Sequence, residues 1–262
     1  MHKRPPRTSW QKVGGWYNAT VGQEGHYYHR SLILPKVLEL FRFSDTSAPS
    51  LLDVACGQGV LSRHLPPSVG YVGVDVAATL IREAKKRAVH PSHQFILADA
   101  TQSLPLPLSS FSHASLILAL QNIAEPAALL KNINRHLQSG AIFLLVLNHP
   151  CFRIPRQSSW GVDDKTNIQY RRVDRYLSPM HIPIQTHPAK GTDSPQTWSF
   201  HHPLADYSRW LKEAGFVIEL IEEWSSDKVS EGREAKRENL SRREIPLFMA
   251  IVAHKTTDIV VR

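Results

Sequence analysis

The stretch Asp53-Val54-Ala55-Cys56-Gly57-Gln58-Gly59 sets an acid and two closely spaced glycines directly after the apolar pair Leu51-Leu52. Glycine reaches backbone conformations closed to other residues and lets a ligand approach the main chain. A phosphate cradle is one chemistry for such a turn, because a helix amino terminus attracts anions. Here the full dinucleotide glycine pattern and the Lys-Ser/Thr ending of a P-loop are both missing. Asp75 follows sixteen residues after Gly59, at the end of Tyr71-Val72-Gly73-Val74, where a carboxylate can accept hydrogen bonds from both hydroxyls of a ribose. Asp99 ends the next apolar run, Gln94-Phe95-Ile96-Leu97-Ala98, and can accept from an adenine amine. Taken singly, each acid reads as a solvated strand end or a helix cap. Their joint spacing at successive strand ends favours binding.

The elements that must position these residues alternate. Leu32, Leu34, Val37, Leu38 and Phe41 recur at helical spacing, and Ser44-Asp45-Thr46-Ser47-Ala48-Pro49 ends that helix. Strands are expected at 51–55, 71–76, 94–99, 114–120 and 141–147, with helices from near Val60, over 78–89 and over 126–137. Continuous apolar strands separated by helices imply a parallel sheet covered on both faces. A helix over 204–214, a stop at Gly215 and strands at 216–221 and 247–252 would close the sheet with an antiparallel edge. The segment between Asn148 and Pro203 breaks the pattern. It is rich in Pro, Arg, His and Trp, and its apolar content (Phe152, Trp160, Tyr170, Met180, Ile184, Trp198) argues for an ordered cap over a site. The chain therefore divides into a basic tail (1–15), a lid and helix (16–50), an α/β core (51–148), a substrate cap (149–203), and a helix with closing strands (204–262).

With Leu51 to Gly59, Gly73-Val74-Asp75-Val76-Ala77, Ala98-Asp99-Ala100 and Leu118-Ala119-Leu120-Gln121-Asn122-Ile123 in this order at successive strand ends, the sequence resembles the class I S-adenosylmethionine-dependent methyltransferases, in particular the small-molecule branch that includes quinone methyltransferases. The resemblance covers about 51–147. It implies a Rossmann-like, doubly wound, mostly parallel seven-stranded sheet, with S-adenosylmethionine as cofactor and S-adenosylhomocysteine as product. By that resemblance Asp53, Gly57 and Gly59 hold the methionine end, Asp75 the ribose, Val76 and Asp99 the adenine with Ala100 beside it, and Ala119 the methionine side. Ala55 stands where the family has its first glycine. Trp16, Tyr17, Tyr27, Tyr28 and His29 resemble the amino-terminal lid of small-molecule members, which places Tyr17 at the cofactor and Tyr28 and His29 at the acceptor. The same rings can equally pack the first helix onto the sheet.

Methyl transfer needs a base only where the nucleophile must lose a proton. His149, directly after the 141–148 strand, is the candidate, among 14 histidines in all. Gln121 and Asn122 can orient a polar acceptor or cap the following helix, and Arg153 can pair an acidic substrate bidentately or sit at the surface. No spacing of acids and histidines suggests a metal site.

The 262-residue chain is 42% hydrophobic and 21% charged, which fits a globular protein and excludes a disordered or fibrous one. Neither a membrane span nor a signal peptide is expected, since no apolar run approaches roughly 20 residues. Two cysteines, Cys56 and Cys151, suit a reducing, cytoplasmic setting. The net charge, 31 − 23 = +8, keeps an RNA methyltransferase of the same fold as the alternative to a small-molecule enzyme. A domain that binds without turnover and a nicotinamide-dependent oxidoreductase are the remaining readings.

Overall fold

A computed structural model describes residues 14–22, 24–185 and 196–257, with the backbone alone at 16, 17, 19 and 20. The basic tail expected at 1–15 falls almost wholly outside them. Helix α1 (Gly14–Val21) is followed by a π-helical turn, His29–Ile33, that runs directly into α2 (Leu34–Phe41). The core alternates β1 (Ser50–Val54), β2 (Gly70–Asp75), α3 (Ala78–Lys86), β3 (Gln94–Leu97), β4 (Phe111–Ile117), α4 (Pro126–His136) and β5 (Leu137–Asn148). After the cap come α5 (Leu204–Glu213), β10 (Phe216–Trp224), α6 (Ala235–Glu244) and β11 (Phe248–Lys255). These strands form one seven-stranded sheet in the order β10-β11-β5-β4-β1-β2-β3, parallel except for β11, which runs antiparallel to both β5 and β10.

Period-two alternation sends the strand side chains to two cores. Leu52, Val54, Phe143, Leu145, Met249 and Ile251 pack under α4 and α5 with Leu129, Ile133 and Leu211. Their neighbours Leu51, Leu144, Val146, Ala250 and Val252 pack under α2 and α3 with Val37, Phe41 and Ile81. Both faces are thereby covered, as near-continuous apolar strands require.

Two expectations change. The helix expected from Val60 is a single 3-10 turn, Leu61–His64, because Pro66 and Pro67 follow and force Leu65 into an extended conformation (ψ 147°). The cap, which carries no sustained periodicity in the sequence, holds two hairpins: β6 (Ser158–Asp163) with β7 (Ile168–Val173), and β8 (Met180–Gln185) with β9 (Gln196–His201). The first hairpin is half-exposed on both faces, so no apolar alternation marks it. Among the described residues no helix is long and apolar enough to cross a membrane.

Candidate functional site

A cavity of about 770 Å³ opens at the carboxyl ends of the parallel strands, the place where open α/β sheets take their ligands. Ala55 and Gly57 line it after β1, Asp75 and Val76 after β2, and Ala98, Asp99, Ala100 and Thr101 after β3. Ala119, Gln121 and Asn122 line it after β4 and Asn148 at the end of β5, while His29 from the lid and Ile184, Thr197 and Ser199 from the second hairpin cover it. Thus the structure brings together, around one space, ten of the residues singled out from sequence.

The loop after β1 is held open by left-handed backbone at Ala55 (φ 55°), Gly57 (φ 58°) and Gly59 (φ 70°). Asp75 anchors it: Oδ2 accepts the Gly57 N–H at 2.9 Å and Oδ1 accepts the Ala77 N–H at 2.8 Å. Burial raises the Asp75 pKa, and these backbone donors oppose the rise. Next to it Val76 exposes 53% of its surface, an apolar side chain left uncovered beside an acid. Asp99 accepts the Thr101 N–H (2.9 Å) and hydroxyl (2.7 Å) through Oδ1, which fixes the carboxylate at the cavity edge.

Other expected site residues lie elsewhere. Asp53 is buried behind the loop, where its two oxygens accept the Tyr71 and Ser115 hydroxyls, each at 2.7 Å. Desolvation pushes its pKa to about 6, and these two hydroxyls oppose the shift. In register it pairs with Gly73 on β2 and Ser115 on β4, so it fastens three strands. Gly59 faces Phe95 and Ser62. Tyr28 gives its hydroxyl to a 2.9 Å hydrogen bond with Ser226 and packs edge-on against Phe248; it ties the lid to the carboxyl-terminal segment. Arg153 stacks on Trp160, 5.4 Å from the ring centroid, with Arg171 on the same ring. The Tyr17 side chain lies outside the described residues.

His149 does not face the cavity. Its Nδ1 accepts the Cys151 N–H at 3.2 Å, so its proton is on Nε2, which donates to Glu223 at 2.6 Å. Desolvation lowers the ring pKa against the pull of Glu223. With both nitrogens engaged by the protein it has no lone pair for an acceptor, and the residue of β5 that does line the cavity is Asn148.

Sequence reasoning missed Gln58, Asn148 and Thr197. Gln58 is fully buried, donates to the Gly22 carbonyl at 2.9 Å and receives Arg87, so it joins the lid to α3. No local signal marks it beyond its place between two glycines. Thr197 sits on a strand hidden within the unpatterned cap.

Among the described residues, acids and no Lys or Arg line the cavity: Asp75, Asp99 and Glu125. A dinucleotide pyrophosphate needs a helix amino terminus or cations, and the turn after β1 leads only into a four-residue 3-10 segment. Residues 52–145 match the methyltransferase domain family. A demethylmenaquinone methyltransferase of Chlamydia pneumoniae is 33% identical to the chain over 129 residues, 48% of this chain and 52% of that protein. The alignment thus spans about half the relative's length. A Staphylococcus aureus demethylmenaquinone methyltransferase is 22% identical over 172 residues, 63% of this chain and 67% of that one. The crystal structure of an S-adenosylmethionine-dependent methyltransferase from Mesorhizobium loti superposes with a TM-score of 0.66 at 22% identity, over 89% of this chain and all of that one. The matched segment thus sits in a whole-chain fold shared with that structure, and its loops after β1, β2, β3 and β4 supply most of the cavity wall.

The residues present fit that cofactor. S-adenosylmethionine is cationic at sulfur and presents ribose hydroxyls and amines, all of which suit an acid-lined wall. Asp75 would take the ribose hydroxyls, Val76 would cover one face of the adenine, and Asp99 would accept its amine.

Proposed function

We propose that this chain is an S-adenosylmethionine-dependent methyltransferase that acts on a small organic acceptor in the cytoplasm. One observation carries the reading: among the described residues the cavity at the strand ends is lined by Asp75, Asp99 and Glu125 without a Lys or Arg, and strands of the cap cover it. A small acceptor fits a covered chamber of several hundred Å³. An RNA backbone needs Lys and Arg at the place of reaction, and two of the cap's arginines are engaged within the protein, Arg171 with Phe152 and Ser158 and Arg172 with Asp174.

The cofactor, when bound, supplies an electrophilic methyl group. The chain's own part is to align the acceptor with it and to exclude water, and such positioning alone is worth several kcal/mol of barrier. Val54, Leu118, Ile123 and Ile184 provide the dry wall. Both cysteines are free, which agrees with a reducing compartment.

Calorimetric titration with S-adenosylmethionine and S-adenosylhomocysteine tests the reading. Wild type is expected to bind in the micromolar range, about −8 kcal/mol, and Asp75→Ala to lose that binding. No binding to wild type, or an unaffected variant, would overturn it. Gel-shift titration with bulk tRNA at low salt is expected to show no complex, and a salt-sensitive complex would favour the RNA alternative.

A further inference from the structure

The loop that carries Gly57 is tied to the amino-terminal lid by a side chain that lies outside the cavity wall. Gln58 donates through Nε2 to the Gly22 carbonyl at 2.9 Å, and its Oε1 accepts Arg87 Nη1. The same Arg87 nitrogen donates to the Gly22 carbonyl at 2.8 Å. Arg87 Nη2 lies 3.4 Å from Glu83 Oε2, the oxygen that accepts from Asn18 of α1 at 3.3 Å. On the cavity side, Asp75 accepts the Gly57 N–H, and Arg63 Nη1 braces the loop by donating to the Gln58 and Gly59 carbonyls at 2.8 and 3.0 Å. A continuous run of polar contacts therefore leads from an acid in the cavity wall to the lid helix.

The end of α1 is built to receive it. The last carbonyls of a helix have no partner within that helix. Gly22, left-handed at φ 66°, closes the helix by donating its N–H to the Asn18 carbonyl at 3.1 Å, and its own carbonyl takes both core donors. A helix of eight residues does not hold itself in water, so α1 owes its order to these anchors and to Val21, which is buried in the core under α2 and α3. Beyond it Gly25 (φ 100°) turns the chain, and His29 then lines the cavity.

We infer that Gln58 and Arg87 are positioning residues that join the lid and the cofactor loop into one unit: when Asp75 and Gly57 hold a cofactor, Gln58 is fixed, Gln58 and Arg87 fix Gly22, and α1 is ordered in consequence. Such coupling is reciprocal, so releasing the lid weakens cofactor binding by the factor with which the cofactor orders the lid. The inference rests on the reading of the cavity as the S-adenosylmethionine site.

Hydrogen exchange and calorimetry on the full chain, with and without S-adenosylhomocysteine, test it. In wild type the ligand is expected to slow exchange of the amides in 14–22 at least about tenfold. Gln58→Met keeps the length of the side chain and removes both polar atoms, and Arg87→Met changes a partly exposed residue at the end of α3. Each is expected to bind S-adenosylhomocysteine about tenfold more weakly and, at saturating ligand, to leave 14–22 exchanging as in the free protein, with β4 and β5 as protected as in wild type. The double variant is expected to bind about as weakly as either single one, because both cut the same clamp. Ligand that leaves 14–22 unchanged in wild type, variants that bind as tightly as wild type, or variants that bind weakly yet still slow exchange in 14–22 at saturation would each overturn it. Should Gln58→Met lose protection in β4 and β5, the same readings on Arg87→Met decide. Failure of the cofactor reading shows separately, as wild type that does not bind S-adenosylhomocysteine at all.

Discussion

Ala55 is the residue at which this chain departs from the family motif, and the backbone there records the cost. Its φ of 55° is left-handed, a region that disfavours a Cβ by roughly 1–2 kcal/mol and that glycine enters freely. Ala55→Gly is therefore expected to stabilise the protein by roughly 0.5–1 kcal/mol, after glycine's greater unfolded-state entropy is subtracted. The measurement is the urea midpoint. A loss of stability would mean that the methyl group, which packs against the core under α4, outweighs the backbone strain. Asp75, Asp99 and Gly57 were legible as residues of the strand-end cavity because a turn and an acid at a strand end have few other uses in combination. Asp53 was legible as special but not in its role: sequence shows an acid beside the glycines, and only the register shows Tyr71 and Ser115 closing over it. His149 was misplaced because a strand end fixes where a backbone goes and leaves open which of two neighbouring side chains turns inward.

Strands β1 and β2 are joined by more than their ladder. A methyl group on Gly73 would lie 2.7 Å from the Tyr71 hydroxyl and 2.8 Å from the Cys56 sulfur. Gly73→Ala should thus push Tyr71 off Asp53 and leave a buried carboxyl short of a donor, at a cost of roughly 2–3 kcal/mol. Chemical denaturation reads this directly, and a Gly73→Ala/Tyr71→Phe pair should be less than additive, since each removes the same hydrogen bond. Additive losses would show that the glycine serves packing alone. The order of strands and helices was readable because apolar runs in a sheet covered on both faces are hard to mistake. The cap hairpins were not, since strands that bury neither face fully carry no periodic signature, and the helix after β1 was cut short by a proline pair whose effect outweighs local propensity.

For the whole molecule, acidity sets two opposing trends. His29, His93, His113, His149, His201 and His202 all have pKa values lowered from 6.5, first by burial. Below about pH 6.5 the unfolded chain binds protons at these rings that the folded chain does not, so stability falls as the pH drops. Asp53 acts in the other sense: its pKa rises from 3.8 to about 6, the folded chain holds the extra proton between those values, and stability falls as the pH climbs through them. The Asp53 and His29 shifts each correspond to on the order of 3 kcal/mol. Urea denaturation at about pH 7 and about pH 4.5 should show wild type less stable in acid, Asp53→Asn with a steeper loss and His29→Gln with a shallower one. An Asp53→Asn slope equal to wild type would mean that the acid stays ionised in the fold.

Strand β11 lies between β5 and β10 although it follows both in the chain. A ribosome releases β5, with its run Phe143-Leu144-Leu145-Val146-Leu147 wholly buried in the finished sheet, some hundred residues before the strand that pairs with its free side. Throughout that interval β5 offers an unpaired apolar edge. Order of synthesis and order of assembly are therefore at odds, and the nascent protein must wait with its centre open until its last strand threads between two that are already made.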